Sequence, residues 1–261
     1  MKIVRFADNA RTAYGVLTGD TIEVSVGAPF DGVRRTGQAV PLADVRLLAP
    51  VEPPNVIALG LNYRRHAQES NMQVPGHPQM FLKATTSVIG PEDAIVLPRM
   101  APDEVDYEAE ICIVMGKPAR NVAEADALDY VLGYTCGNDI SARDCQLRLD
   151  GQWARGKSFD TFCPLGPWIE TDIDPDDEPI VSRLNGQVMQ QSNTSDMIFG
   201  CRRLISFLSQ VMTLSPGTVI MTGTPEGVGF ARQPPVFLKP GDTIEIEIEG
   251  IGVLRNRVVS G

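Results

Sequence analysis

The sequence predicts a β-rich α+β protein whose strands form a sandwich or roll. Short apolar or alternating runs typical of strands outnumber the helical patterns along the 261 residues. One long segment, residues 196–212, has apolar residues at the three- and four-residue spacing of an amphipathic helix. Because the strands do not alternate regularly with helices, the pattern excludes a (β/α)8 barrel and a doubly wound parallel sheet.

The composition indicates an ordinary globular protein, with 43% hydrophobic and 21% charged residues. The formal net charge of −10 argues against nucleic acid or an anionic membrane as a partner. The chain turns polar too early for a secretory signal peptide, and no apolar run approaches a transmembrane length. The five cysteines show no Cys-x-x-Cys pairing, so we expect buried free thiols in a cytoplasmic protein.

The charge is unevenly distributed and divides the chain into two predicted domains. Residues 1–50 carry six basic and five acidic side chains, a net of +1, so residues 51–261 have a net charge of −11. Prolines at the junction favour an extended linker. We therefore predict a small N-terminal β-rich domain that acts as a structural cap, with a hairpin turn at Gly19-Asp20. Its strands are predicted at residues 2–6, 14–18 and 21–26.

The larger domain, residues 51–261, contains the remaining predicted elements. A short helix is expected after Asn121, because Glu124 three residues later completes a capping-box pattern. The long helix at residues 196–212 is expected to be capped by the polar residues 192–195. The predicted strands are at residues 55–60, 105–115, 131–138, 218–222, 243–249 and 253–259.

Two glutamates lie close together in the strand predicted at residues 105–115. Side chains alternate along a strand, so Glu108 and Glu110 share one face, roughly 7 Å apart. Buried carboxylates are costly unless a cation or hydrogen-bond donors compensate them, and a solvated strand end is the ordinary alternative. Asp139 ends the next strand and adds a third carboxylate. If the two strands are neighbours, these oxygen donors suit Mg²⁺ or Mn²⁺, with Ca²⁺ also possible.

A histidine and a lysine are further candidates for chemistry. His66 and Glu69 are three residues apart, so one helical turn brings them to the same side. A carboxylate beside an imidazole orients the ring and favours one tautomer, as a general base requires; the alternative is a surface histidine with a chance neighbour. Lys157 lies in an aromatic segment, where it would attract an anionic substrate or simply be a surface lysine with a buried stem.

Six short motifs follow one another in the larger domain. They are GLNY at residues 60–63, followed by His66 and Glu69; YEAE at 107–110; NDISARDCQ at 138–146; GKSFD at 156–160; LNG at 184–186; and TGTPEGVG at 222–229. In this combination and order they resemble the fumarylacetoacetate hydrolase family. The N-terminal segment resembles the small, variable domain that many members carry.

The resemblance implies a mixed β-sandwich roll with a small N-terminal β domain, usually assembled as a homodimer. It also implies that a carboxylate triad holds a divalent metal, usually Mg²⁺ or Mn²⁺, and that His66 and Glu69 form a dyad on a short helix in a lid over the substrate. The implied metal ligands are Glu108, Glu110 and Asp139, and the implied contacts to a keto-acid ligand are Lys157, Arg143, Gln146 and Thr224.

These features predict a metal-dependent enzyme, and three functions remain open. The first is a hydrolase that cleaves a C–C bond of an acylpyruvate-like diketo acid through an enolate, with His66 and Glu69 activating water and Lys157 stabilising the developing charge. The alternative is a decarboxylase or isomerase of a 2-oxo or 2-hydroxydienoate diacid, including oxaloacetate decarboxylation. The third is a non-catalytic protein that binds a metal or a ligand.

Overall fold

Strands dominate the computed structural model, which describes residues 1–8 and 11–261. The strands of these residues are β1 (Lys2–Asp8), β2 (Arg11–Thr18), β3 (Thr21–Ser25), β4 (Arg35–Pro41), β5 (Arg46–Leu47), β6 (Val56–Leu59), β7 (Met80–Lys83), β8 (Val88–Ile89), β9 (Ala94–Leu97), β10 (Val105–Asp106), β11 (Ala109–Met115), β12 (Val131–Asn138), β13 (Ser141–Ala142), β14 (Cys163–Glu170), β15 (Pro179–Leu184), β16 (Gln187–Asn193), β17 (Val219–Met221), β18 (Thr243–Ile248) and β19 (Gly252–Ser260). The α-helices are short: α1 (Arg64–Glu69), α2 (Ala154–Lys157) and α3 (Cys201–Val211).

Two sheets contain most of these strands. The larger sheet follows the order β4-β3-β2-β1-β14-β12-β11-β17-β6-β7, with β5 paired to β1 and β8 paired to β14. The smaller sheet follows the order β16-β15-β18-β19-β9, and β10 pairs separately with β13. Both sheets are mixed: in the larger sheet β17 runs parallel to β6 and β8 runs parallel to β14, and in the smaller sheet β19 runs parallel to β9, while the other pairs are antiparallel.

The two sheets pack face to face around the main hydrophobic core, as a β-sandwich requires. Ile246 of β18 and Ile113 of β11 both belong to this core. On the opposite face of β11, Cys112 and Val114 belong to a second hydrophobic cluster, so this strand is buried on both faces. The predicted β-rich sandwich is therefore confirmed.

The first fifty residues extend the larger sheet. β1 pairs antiparallel with β14, with Lys2 opposite Glu170, and β2 and β3 form the predicted hairpin with its turn at Gly19-Asp20. A third hydrophobic cluster, which includes Phe6 and Ile22, lies among these strands. The division of the chain at residue 50 and the role of the first segment as a cap stay predictions.

The long helix is shorter than the sequence predicts. α3 begins at Cys201, whose amide donates a 2.9 Å hydrogen bond to Asp176 Oδ1. Residues Thr194–Asp196 form a separate 3₁₀ turn, which Asn193 caps. The polar residues before position 196 therefore cap this turn, and an aspartate from a distant loop caps the helix.

The predicted capping box at Asn121 is also wrong. Asn121 has a φ of 51°, in the left-handed region, whereas an N-cap residue has extended backbone. The helix that follows is a 3₁₀ helix at Glu124–Tyr130, and its N-cap is Ala123.

Two simpler expectations can be compared with the fold. All five cysteines are buried and carry free thiols, as predicted. Within residues 1–8 and 11–261, no helix has the length and apolar character needed to cross a membrane.

Candidate active site

A break in one strand brings the three predicted carboxylates together. Residues 105–115 form β10 and β11 instead of one strand, with an irregular link at Tyr107 and Glu108. Asp139 follows β12, the antiparallel neighbour of β11. Carboxylate oxygens of Glu108, Glu110 and Asp139 lie within 4.8 Å of one another, and all three residues are buried. The two strands are therefore neighbours, and a solvated strand end is excluded.

Backbone hydrogen bonds hold this segment in place. The Glu108 amide donates to Asn138 Oδ1 at 3.0 Å, and the Glu108 carbonyl accepts from the Asp139 amide at 2.9 Å. The Gly223 amide donates to Glu110 Oε2 at 2.8 Å. Each acid is thus positioned by contacts from a different part of the chain.

Two buried lysines pair with the acids. Lys157 Nζ donates to Glu108 Oε2 and Asp139 Oδ2, both at 2.7 Å, while Lys83 Nζ pairs with Asp139 Oδ1. Burial alone would lower the pKa of Lys157, but the charges of Asp139 and Glu108 outweigh burial and raise that pKa. Lys157 is therefore a buried, charged residue of the site, and the interpretation as a surface lysine is wrong.

The two glutamates have opposite electrostatic environments. Burial alone would raise the pKa of Glu108, yet the charges of Lys157 and Arg143 hold it well below its usual range. For Glu110, burial raises the pKa and the neighbouring Asp139 and Glu108 carboxylates raise it further. Glu110 is thus the acid whose negative charge the surrounding residues compensate least.

One carboxylate oxygen of Glu110 has no partner, which favours a bound cation among the three acids. Glu110 Oε1 is buried and has no hydrogen-bond partner among the described residues, whereas Glu108 and Asp139 have ammonium partners. An unpaired buried carboxylate oxygen is costly, and a cation would satisfy it. A donor set made of carboxylate oxygens suits Mg²⁺ or Mn²⁺, and also Ca²⁺. The residues present therefore fit a divalent cation.

Arg143 connects the acids to the neighbouring loops. Its Nε donates to Asp106 Oδ2 at 2.9 Å, and its Nη1 lies 2.7 Å from Glu108 Oε1 and donates to Gln146 Oε1 at 2.7 Å. The guanidinium carbon lies 4.4 Å from the centre of the Phe230 ring. Its Nη2 lies 2.8 Å from Asp106 Oδ2 but has no hydrogen-bond partner among the described residues, so Arg143 keeps one N–H group available for an anionic ligand.

His66 and Glu69 form the predicted pair on α1. His66 Nδ1 lies 3.2 Å from Glu69 Oε2, and the Gly227 amide donates to both Glu69 oxygens at 3.0 and 3.1 Å. Burial alone would raise the pKa of Glu69, but the hydrogen bonds from His66 and Gly227 outweigh burial and lower it. Because Glu69 occupies Nδ1, Nε2 is the ring nitrogen left to exchange a proton with a ligand.

The loop at residues 222–229 contacts several of these groups. Its amides donate to carboxylates, and the pairs are Gly223 to Glu110, Gly227 to Glu69 and Gly229 to Asp106. At Gly227 the φ is +95°, and a Cβ there would lie 2.3 Å from the Met189 carbonyl oxygen. Glycine is therefore required at position 227 for both conformation and space.

A cavity of about 90 Å³ opens beside the acids. Aromatic side chains form part of its wall, including Phe81, Trp153 and Phe230. The lining includes these predicted site residues: His66, Glu108, Arg143, Gln146, Lys157 and Thr224. The remaining three are near the same place, since Glu69 contacts His66 and Asp139 contacts Lys157, while Glu110 lies within the carboxylate group.

Sequence reasoning does not identify two charged residues at this site, Lys83 and Asp106. Asp106 has a local signal, because it precedes Glu108 by two residues and so follows the same alternation. Lys83 ends a mostly apolar run, and its partner Asp139 is 56 residues away in sequence. Only the pairing of the strands reveals that contact.

Comparison with family models supports the resemblance over nearly the whole chain. The model described as "Fumarylacetoacetate (FAA) hydrolase C-terminal" matches residues 55–259, and the model described as "Rv2993c-like, N-terminal" matches residues 1–50. The rat protein named "Oxaloacetate tautomerase Fahd2a, mitochondrial" is 48% identical over 224 residues, which cover 84% of this chain and 71% of that protein.

Two solved structures are similar along the full chain. The 5-carboxymethyl-2-hydroxymuconate delta-isomerase from Mycobacterium smegmatis is 47% identical with a TM-score of 0.91, covering 100% of both chains. The 2-hydroxyhepta-2,4-diene-1,7-dioate isomerase from Mycobacterium marinum is 43% identical with a TM-score of 0.90, covering 100% of this chain and 98% of that one. The protein therefore belongs to the fumarylacetoacetate hydrolase family and is an enzyme of that family.

Proposed function

We propose that this enzyme isomerises a 2-oxo diacid by moving a proton away from the carbon next to the keto group. Oxaloacetate is a substrate of this class, and a 2-hydroxydienedioate is the enol form of such an acid, on which the same proton transfer would run in the opposite direction. The observation that carries the proposal is the His66–Glu69 pair beside a cavity that also contains carboxylates and buried cationic side chains. The similar proteins named as a tautomerase and as isomerases support isomerisation better than the C–C hydrolysis that the sequence favours.

His66 is the proposed general base. Its free Nε2 would remove a proton from C3 of the 2-oxo acid, and the electrons of the C–H bond would move to the keto oxygen, giving an enolate. The imidazolium would then return the proton to that oxygen, or to a conjugated carbon in a dienoate. Glu69 would hold the ring and stabilise the imidazolium, and such proton transfer commonly contributes about 10²–10⁴-fold in rate.

The charges around the cavity suit a substrate with two carboxylates. With every group ionised, the four acidic and three basic side chains clustered around the carboxylate triad carry a net charge of −1; Glu69, which pairs with His66, is outside this cluster. With a divalent cation in place, the net charge is +1, which attracts an anion. The acidic residues are Asp106, Glu108, Glu110 and Asp139, and the basic residues are Lys83, Arg143 and Lys157.

Three carboxylates, those of Glu108, Glu110 and Asp139, are the proposed ligands of Mg²⁺ or Mn²⁺. When bound, the cation would supply Lewis-acid stabilisation of negative charge on the substrate oxygens. Lys157 and Arg143 would add fixed positive charge, because neighbouring carboxylates outweigh the effect of burial and raise the pKa of both. Preorganised charge of this kind stabilises an enolate as it forms.

Proton exchange in D₂O tests the proposal. Oxaloacetate would be incubated with the enzyme and Mg²⁺ or Mn²⁺, and loss of its C3 proton signal followed by NMR. We expect exchange faster than in an enzyme-free sample with the same cation, and no more pyruvate than forms in that sample. A 2-hydroxydienedioate and an acylpyruvate would be followed in parallel by their ultraviolet absorbance.

The products of this panel separate the competing functions. Pyruvate formed from oxaloacetate faster than in the enzyme-free sample would indicate decarboxylation, and cleavage of the acylpyruvate without C3 exchange would indicate hydrolysis. Absence of turnover on all three acids would support a binding protein. Each of these outcomes contradicts the proposed isomerase.

A further inference from the structure

Beyond the end of β17, side chains take over the hydrogen bonding to β11 beside the acids. β17 pairs with residues 112–114 of β11 and ends at Met221, after which a φ of +96° at Gly223 turns the chain away. The next backbone acceptor along β11, the Ile111 carbonyl, accepts from both the Thr222 amide at 3.3 Å and Thr222 Oγ1 at 2.8 Å, so the backbone ladder ends at this residue. The ladder of the sheet is therefore continued by side chains towards the carboxylate triad.

Gln190 and Thr224 supply the hydrogen bonds for the next residue, Ala109. The Ala109 amide donates to Gln190 Oε1 at 3.0 Å, and the Ala109 carbonyl accepts from Thr224 Oγ1 at 2.9 Å. Gln190 Nε2 in turn donates to Thr224 Oγ1 at 2.8 Å. The three residues form a closed ring of hydrogen bonds on the two peptides that join Glu108 to Glu110.

The side-chain amide of Gln190 is fully engaged and 1% exposed. Its Oε1 also accepts from Ser182 Oγ at 3.0 Å, and its Nε2 also donates to the Pro225 carbonyl at 3.0 Å. A flipped amide would oppose donor to donor at Ala109 and acceptor to acceptor at Pro225, so one orientation is fixed. The β15–β16 pairing shifts register after Ser182, leaving Met189 as an extra residue, and such bulges re-aim neighbouring side chains.

We propose that Gln190 is a positioning residue for the cation ligands. It holds the Glu108–Ala109 peptide directly and the Ala109–Glu110 peptide through Thr224 Oγ1, and so fixes the separation and direction of the two carboxylates from the smaller sheet. The inference rests on the proposed cation site and is independent of which reaction the enzyme catalyses. Residues that support metal ligands in this way commonly change metal affinity by about 10–100-fold when they are replaced.

Binding of Mn²⁺ to the full chain, measured by isothermal titration calorimetry, tests this role. Gln190→Met keeps a similar length and an apolar, buried side chain but breaks the ring at two points. Gln191→Met is the matched control, because Gln191 is the next residue of β16 and is exposed. We expect Gln190→Met to bind Mn²⁺ about 10–100-fold more weakly and Gln191→Met to bind as the wild type does. Raising the Mn²⁺ concentration should restore C3 exchange in Gln190→Met, which a merely misfolded variant would not show.

A second pair of variants decides the question if Gln190→Met does not fold. Thr224→Val removes the hydroxyl with little change of shape, and Thr224→Ser keeps it. We expect Thr224→Val to weaken Mn²⁺ binding by about 10-fold or more, while Thr224→Ser binds as the wild type does. Circular dichroism and thermal unfolding identify the variants that are folded.

The outcomes separate this inference from the proposed function. Wild-type Mn²⁺ affinity in folded Gln190→Met, or in folded Thr224→Val, would overturn the role of Gln190. A wild-type protein that binds no Mn²⁺ would overturn both that role and the cation site. Weakened binding in Gln190→Met, together with a wild type that does not exchange C3 protons, would refute the proposed reaction and support the role of Gln190.

Discussion

Two strands of this protein carry glutamates at alternate positions, and they differ in what surrounds the acids. In β18, Glu245 and Glu247 alternate with buried isoleucines and are half-buried, and Glu247 pairs with Arg183. Glu108, just before β11, and Glu110, its second residue, are buried beside a strand that is covered on both faces. Alternating acids therefore do not define a site by themselves. The decisive feature is an apolar layer on the face where the acids lie, because it removes the water that would solvate them.

Among the substitutions that test this difference between the two pairs of acids, replacing Glu110 should have the largest effect. In Glu110→Ala we expect no detectable Mn²⁺ binding and no cation-dependent C3 exchange, because the acid with the unpaired oxygen is lost. Glu247→Ala is the matched control and should bind Mn²⁺ as the wild type does. Calorimetric titration measures both variants, and equal affinities would show that the buried acids do not bind the cation.

Replacing His66 should separate proton transfer from cation binding. His66→Ala is expected to slow C3 exchange by about 10²–10⁴-fold while Mn²⁺ affinity stays unchanged, since the imidazole is the proposed base and not a ligand. His77→Ala serves as the control, because His77 is the other histidine of the chain and is exposed. Steady-state exchange rates by NMR provide the measurement, and a fully active His66→Ala would remove the dyad from the mechanism.

Removing the cation should lower the stability of the wild type but not that of Glu110→Ala. At a free Mn²⁺ concentration of about 100 times Kd, binding adds about 2.7 kcal/mol to the free energy of unfolding. For a chain of this size we expect Tm to rise by roughly 5–10 °C relative to a sample with EDTA. Scanning calorimetry measures the shift, and a similar shift in both proteins would place the cation elsewhere.

The partly exposed ion pair of β18 should show the smallest effect. Arg183→Ala removes the partner of Glu247, and because water screens this pair we expect a loss of about 0–1 kcal/mol in the free energy of unfolding. Urea unfolding monitored by circular dichroism measures the loss. A cost several times larger would mean that the acids of the two strands differ less than their burial indicates.

The acids and their order could be predicted from the sequence because the strand period is local. Alternation places Glu108 and Glu110 on one face, and helical spacing brings Glu69 to His66. The partners that make these groups a site are not local. Lys83 is 56 residues from Asp139, and Gln190 is 81 residues from Ala109. Such contacts depend on the order of strands in the sheets, which local patterns do not specify.

The same reason explains the errors in the helices. Sequence reasoning looks for a cap among the residues just before a helix, and polar residues are present there before position 196. The structure uses Asp176, 25 residues before Cys201, as the acceptor for the first helical amide. At Asn121 the residue types of a capping box are present, but a left-handed backbone conformation prevents the cap. Residue type alone does not determine backbone geometry.

The hydrogen bonds of the loop at residues 222–229 restrict the length of this loop. Surface loops usually accept inserted residues, because few of their backbone groups have fixed partners. Here, three amides, those of Gly223, Gly227 and Gly229, donate to carboxylates from three separate segments: Glu110, Glu69 and Asp106. One added residue would shift every later amide away from its acceptor, disturbing the histidine pair and the acids together. Grafts and insertions that alter specificity therefore belong in other loops around the cavity, with this one kept at its present length.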